Sequence, residues 1–408
     1  MKRPNLLVLG ACGGVAQAFL HHLPQHRGLF NRLVLLDKNK KILSDPYVDH
    51  VALDYIFVER ELKLPEHNKN YISILKKYKI NIVLDLTDYE TLPLLEATDA
   101  CGVHYINTAM NSERGTVVDL VSEVKNNRRA ARVSHILCSG MNPGVVNMWV
   151  RYGIEKFGVP RAVTFFEYDT SQEVEGWHPM MTWSIHEYLV ESTRDPGGLM
   201  LGRNKPKFLY PNALENRISM KPILSPIIAF KNYPDGLTVL HEENVTIAHK
   251  YNIPSKFVYA VNMKTMKYLE GLYRQKKKIE KKDLVFGDNT KRVLDGSDSI
   301  GTLLEYADKS VYYFNTFPNL AIVGSNATYT QVIIGVFAGL FTLLVDAPRA
   351  GRYFVEDLFD THYKYYLFDN MRVAEFVFAK KKGKLKLTSY VPKVELKRKN
   401  HFEHLYVL

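Results

Sequence analysis

At 408 residues, 46% of them hydrophobic and 24% charged, the chain has the composition of an ordinary globular protein and a length that calls for two domains. Cys12, Cys101 and Cys138 are too few and too scattered for a disulfide framework or a metal site, so a reducing, cytoplasmic compartment is expected and no metal. The net charge of +11 gathers in Lys276 to Lys282 and after Lys380, where nine Lys/Arg face two Glu; without any zinc-finger, arginine-arm or RNA-binding signature it reads as solvated surface and a basic tail, and excludes nucleic acid as the expected partner.

The chain enters a strand almost at once, so no signal peptide is expected. Asn5 to Leu9 (N-L-L-V-L) is an apolar run suited to a strand buried on both faces. It leads into Gly10-Ala11-Cys12-Gly13-Gly14-Val15-Ala16, a G-x-x-G-x-x-A spacing. Gly10 suits the turn out of the strand, and Gly13 or Gly14 a close backbone approach to a pyrophosphate. Around Val15 a helix N-terminus offers free N–H groups, and Ala16 lets the helix lie close on the sheet. A second strand, Arg32 to Leu36, stops at Asp37. An acid there suits the two ribose hydroxyls of adenosine and repels a 2′-phosphate, which favours NAD over NADP despite Lys38, Lys40 and Lys41. The bland reading is a turn that needs glycine only for its backbone. Strand, turn, helix, strand and closing acid in that order argue for the dinucleotide.

Ile80 to Leu86 reads as the next strand, followed by Thr87 and a helix around Leu92 to Cys101. His104 to Asn107 and Ser134 to Cys138 are further strands, the last reaching Ser139-Gly140-Met141-Asn142-Pro143-Gly144. This alternation predicts an α/β class, a doubly wound Rossmann-type parallel sheet over residues 1–148. The loops at Gly10, Thr87, Asn107, Thr108 and Asn142 are expected to converge on one crevice at the carboxyl ends of the strands. After Pro160, alternating strands such as Ala162 to Tyr168 and Leu237 to Leu240 predict a second, α+β domain over 149–324 for substrate and dimer contacts. From 325 to 408 a helix is expected to return to the first domain, followed by the basic tail. The apolar run Val332 to Val345 holds two glycines and falls short of the ~20 residues a spanning helix needs, so it reads as a core helix with no membrane partner.

Several motifs, in order along most of the chain, resemble the homospermidine synthase branch of the saccharopine dehydrogenase-like oxidoreductases. They are Y-I-N-T-A (Tyr105 to Ala109), S-G-M-N-P-G-V-V (Ser139 to Val146), E-Y-D-T-S-Q (Glu167 to Gln172) and T-W-S (Thr182 to Ser184). L-H-E-E-N-V-T-I (Leu240 to Ile247), N-A-T-Y-T-Q-V (Asn326 to Val332) and P-R-A-G (Pro348 to Gly351) follow. The resemblance implies a tightly held NAD that takes a hydride from an amine of putrescine or spermidine, attack of a second amine on the imine, and return of the hydride. It implies a homodimer as well. Carried over by residue, Asn142 lies beside the nicotinamide, Glu167 and Trp183 line the amine pocket, and His241 with Glu243 move the proton from a shared strand face. A carboxylate pairs with an ammonium group, and a tryptophan face holds the same cation. Glu113 is the one acid near the place where the family carries another, and Asn262 stands where the family carries a histidine.

Two other readings compete. A saccharopine- or opine-type, or carboxynorspermidine-type, dehydrogenase reduces an imine of a carboxylate-bearing substrate and needs cations in the pocket, for which Lys264, Arg203 and Arg114 are the candidates. A non-catalytic NAD-binding sensor keeps the fold without the chemistry. Without the resemblance, Trp183 reads as core, Glu167 as an exposed strand charge and His241 as a structural histidine.

Overall fold

The computed structural model describes residues 3–396 except positions 113–114, 128, 276 and 291. Two sheets carry the architecture. The first is a seven-stranded, all-parallel sheet. Across it run Gly351–Phe354, Ser134–Leu137, His104–Asn107, Ile82–Asp85, Asn5–Leu9, Arg32–Asp37 and Tyr55–Glu59. The first six strands in chain order have the Rossmann arrangement, with the reversal between Asn5–Leu9 and Ile82–Asp85. Asn5–Leu9 and Ile82–Asp85 are buried at every residue, which explains why their sequences are apolar without alternation. The sequence assigns five of the seven strands to within two residues and leaves Tyr55–Glu59 and Gly351–Phe354 unassigned.

The second sheet has ten strands and is mixed. At its centre, Ala162–Asp169 pairs in parallel with Ser255–Ala260 and antiparallel with Ser297–Glu305. The C-terminal region departs from expectation. Gly351–Phe354 joins the first sheet, but Ala374–Lys381 and Lys384–Val391 form a hairpin on the outer edge of the second. The stretch after Lys380 is therefore partly an exposed edge strand rather than a tail, and 397–408 lie outside the described residues. Lys382 and Gly383, both at positive φ, make its two-residue turn.

The sheets share one continuous core through two helices, Val145–Phe157 and Ala327–Phe341. Ala327–Phe341 meets the first helix, Gly14–His22, as well as strands of both sheets. Together with the turn that follows it, 327–346 is long and apolar enough to cross a membrane by length and composition, yet 67% of the apolar window is buried within the fold. Its close approach rests on glycine. A Cβ on Gly335 would lie 2.1 Å from the Gly140 carbonyl oxygen, and one on Gly339 would lie 2.4 Å from Ile106. The helix thus braces the loop after Ser134–Leu137, where Ser139 Oγ donates to the Gly335 carbonyl at 2.8 Å. Gly335→Ala is expected to cost about 1–3 kcal/mol by overpacking. Gly28→Ala, with open space around its Cβ, should stay within about 0.5 kcal/mol of wild type. Urea unfolding of both variants checks the contrast, and equal stability would contradict the packing.

Candidate active site

Two features meet at the carboxyl edge of the parallel sheet. The first is the glycine turn. Gly10 has φ +72°, and a Cβ there would stand 2.8 Å from the Leu86 carbonyl oxygen, so no side chain fits. Gly13 heads the helix Gly14–His22 with no side-chain cap, leaving the first N–H groups, Val15 among them, for an anion. Asp37 lies beside the turn: it accepts the Cys12 N–H at 2.9 Å and both the backbone and side-chain N–H of Asn39. Lys40 pairs with Glu59 at 2.7 Å, while Lys38 and Lys41 are exposed. A bare turn, an uncapped helix start and an adjacent acid fit the pyrophosphate and ribose of a dinucleotide. Gly14 has a different task from the one its spacing suggests. A Cβ there would fall 2.1 Å from the Tyr329 ring, so the residue makes room for the returning helix.

Thr87, Asn107, Thr108 and Asn142 follow or end neighbouring strands, so the loops converge as the alternation predicts. Thr87 and Tyr105 donate to the buried Asp85 carboxylate, each at 2.6 Å. Asn107 spends its side chain on backbone, accepting from Cys138 N at 2.9 Å and donating to Ala109 O at 2.5 Å. It shapes the loop from within.

The second feature is a chamber of acids and aromatic rings. Glu167 and Asp169 are two apart on one strand, so they face the same side. Asp298 stands opposite Asp169 in the antiparallel register, which puts three carboxylates on one face of a two-strand ladder. Like charges so placed repel unless something offsets them. Thr182 donates to Asp169 at 2.6 Å and Thr328 to Asp298 at 2.8 Å, while Asn142 donates to Glu167. Beside them Trp183 donates its indole N–H to Tyr259 at 2.8 Å, and Tyr188 packs edge-on against both rings.

His241 corrects an expectation. The strand Asp235–Val239 ends before it, and His241 caps the helix Glu242–Tyr251 instead of sharing a strand face with Glu243. Asn244, which donates to Val239 O and accepts from His241 N, turns the chain into the helix. The change brings three acids to one imidazole: Nδ1 lies 2.5 Å from Glu243 and 3.2 Å from Glu242, and Nε2 lies 3.7 Å from Glu191. Glu242 also accepts the Met110 N–H at 2.6 Å, tying the loop after His104–Asn107 to this helix.

Burial alone would drive the His241 proton off, but Glu243 and Glu242 outweigh it and hold the ring protonated well above the usual histidine range. The acids move the other way. Burial, then Asp298, pushes Glu167 well above the carboxylate range. Burial, then Asp169, pushes Asp298 to about 8, and burial pushes Glu191 to about 8. Asp298 Oδ1 and Glu243 Oε1 are buried without a hydrogen-bond partner among the described residues. No Lys or Arg is paired with any of these six acids among the described residues. An acid whose folded pKa is raised adds stability below its unfolded pKa, and that contribution is lost as pH rises through the folded value. Asp298→Asn should therefore raise the Tm of the ligand-free protein at pH ~8 but not near pH ~4, where both forms are neutral. A gain of equal size at both ends of a pH series would contradict the assignment.

The structure thus gathers Asn142, Glu167, Trp183, His241 and Glu243 in one chamber, with Gly10, Gly13 and Asp37 at the far end of the same sheet edge. Glu113 lies outside the described residues. Asn262 caps the helix Met263–Arg274 and donates to the Thr170 and Ser171 carbonyls, at 3.2 and 3.4 Å, so it braces the loop after Asp169. Sequence reasoning missed Asp169, Asp298, Glu191, Glu242 and Tyr259. Asp169 and Glu242 sit inside motifs quoted for the resemblance. Asp298 and Glu191 have no local signal, because only strand pairing and helix docking bring them in.

Residues 6–138 match the family described as the saccharopine dehydrogenase NADP binding domain. A homospermidine synthase of Mesorhizobium japonicum is 22% identical over 404 residues, 79% of this chain and 81% of that protein. The homospermidine synthase of Legionella pneumophila, solved in complex with NAD, aligns with a TM-score of 0.69 at 16% identity, covering 90% of this chain and 89% of that one. Apo saccharopine dehydrogenase (L-Glu forming) from Saccharomyces cerevisiae aligns at 0.59 and 8% identity, covering 92% and 99%. Fold and sequence together bear out the resemblance of this chain to the homospermidine synthase-like branch of the saccharopine dehydrogenase-like oxidoreductases.

Proposed function

We propose that the protein is an NAD-dependent, homospermidine synthase-like enzyme. In this reading it oxidises an amine of putrescine or spermidine to an imine, transfers the aminobutyl group to a second amine and reduces the product imine. The observation that carries it is the chamber: Glu191, Glu242 and Glu243 surround His241, Glu167, Asp169 and Asp298 share one face of the neighbouring strand pair, and no Lys or Arg is paired with any of the six among the described residues. Buried carboxylates without cations are costly, and a ligand with two or more ammonium groups removes that cost. The 22% identical homospermidine synthase supports the same substrate class.

The glycine turn, the uncapped helix and Asp37 would hold the dinucleotide, whose bound form supplies acceptance and return of one hydride. The rest falls to this chain's own side chains. The half-buried Trp183 holds the cation against its ring, and Glu167 pairs with the ammonium group beside Asn142. Hydride leaves only a carbon whose nitrogen has lost its extra proton, and an alkylammonium has a pKa near ~10. Glu191, at about 8 in the free protein, is suited to take that proton once the bound polyamine has displaced its own, and the protonated His241 is suited to give one back when ammonia leaves. The opine-type reading needs cations here; Arg203 and Lys264 are exposed, Arg203 being bonded to the carbonyl of His249, and Arg114 lies outside the described residues.

The test incubates the protein with NAD and putrescine or spermidine, and separately with lysine, 2-oxoglutarate and NADH, with products read by mass spectrometry. Turnover of the first set is expected, and turnover of the second alone would overturn the reading. Removing a desolvated charge partner costs roughly 2–5 kcal/mol, so Glu167→Gln should lower kcat/KM for the amine by about a hundredfold with NAD affinity unchanged. Asp37→Ala should weaken NAD binding and narrow its advantage over NADP, measured by calorimetry.

A further inference from the structure

An open cleft lies at the other end of the helix that His241 caps. It has a volume of about 470 Å³ and shares no lining residue with the acidic chamber. Lys125 reaches it from the helix Val117–Asn126, His249 and Lys250 from the last turn of Glu242–Tyr251, Arg203 from the loop after Gly197–Met200, and Arg352 from Gly351–Phe354. Asp357 is the one acid in the lining, and it pairs with Lys250 at 2.5 Å.

The other cations have no acidic partner among the described residues. Arg203 donates to the carbonyls of His249 and Lys250, Arg352 donates to the carbonyl of Arg129 at 2.9 Å, and Lys125 stands 5.0 Å from the centre of the Phe354 ring. Basic residues at helix ends have a bland explanation, since they complement the helix dipole. That covers Lys125, His249 and Lys250, and Arg203 through its bonds to the last carbonyls of Glu242–Tyr251, but not Arg352, which arrives from a strand and bonds the Arg129 carbonyl. Burial, then Lys125 and Arg203, lowers the His249 pKa, while the buried Glu356 carboxylate also feels Lys125 and Lys250.

We propose that this cleft binds a small anion bearing two or more negative charges, of the phosphate monoester or diphosphate class. Guanidinium groups recognise such oxygens through paired N–H donors, and a cleft of about 470 Å³ is of the size that takes a small metabolite. Inorganic pyrophosphate is the probe, titrated calorimetrically into the full chain at about 0.15 M salt, with and without saturating NAD. One saturable site is expected, independent of NAD, with affinity falling about tenfold or more in Arg203→Gln/Arg352→Gln and in Lys125→Gln. Lys382→Gln, in the exposed hairpin turn, should leave it unchanged. Competition by NAD would place the probe in the glycine turn and overturn the proposal. So would absence of saturable binding, wild-type affinity in a variant that melts like wild type, or binding of a short oligonucleotide in preference to pyrophosphate. Amine turnover plays no part in these readouts.

Discussion

Desolvation of carboxylates is the constraint that organises this molecule. Glu167, Asp169 and Asp298 crowd one face of two paired strands, at 1–4% exposure. Each buried ion costs several kcal/mol unless a partner offsets it. The hydroxyls of Thr182, Thr328 and Ser171 and the amide of Asn142 offset part of that. The remainder shows as protons held to about pH 8 on Asp298 and Glu191, and as the same upward push on Glu167. A site built only for stability would replace such a cluster with apolar residues. The proposed polyamine, taking the protons' place, would offset that cost.

One motif shows how the fold serves this site. Asn326 accepts from Tyr329 N at 2.9 Å to start the long core helix and donates to Thr182 O at 2.7 Å. Two residues on, Thr328 holds Asp298, and Tyr329 rests against Gly14 at the head of the nucleotide-binding helix. A single turn of helix therefore sets an acid of the chamber, positions the hydroxyl that steadies another, and seats the glycine turn. In the proposed reaction the distance between hydride donor carbon and acceptor would depend on that registration, and an error of about 1 Å in such geometry costs a large part of the rate.

The five central strands of the first sheet are legible because they are almost wholly buried and read as mostly apolar runs, whereas the outer strands Tyr55–Glu59 and Gly351–Phe354 are half-exposed and give no such run. The helix Ala327–Phe341 was legible from the same kind of run. His241 was misplaced because L-T-V-L-H-E-E-N continues an alternating strand on paper, and Asn244 breaks it through hydrogen bonds that no periodicity encodes. The hairpin 374–391 hid behind its lysines, which face solvent on an edge strand and mimic a disordered tail. Asp298 and Glu191 stayed invisible for a different reason. Their meaning comes from partners more than a hundred and about fifty positions away, and a single sequence carries no trace of that pairing.

The central claim is that Glu167, Asp298 and Glu191 hold protons in the free protein and give them up to a polycation. It is tested most directly by titrating spermidine into the protein at pH ~7 in buffers of different ionisation enthalpy, which counts the protons exchanged on binding. Saturable binding with net proton release, reduced in Glu167→Gln and Asp298→Asn, is the result the account predicts. Proton uptake, or binding with no proton exchanged, would contradict it.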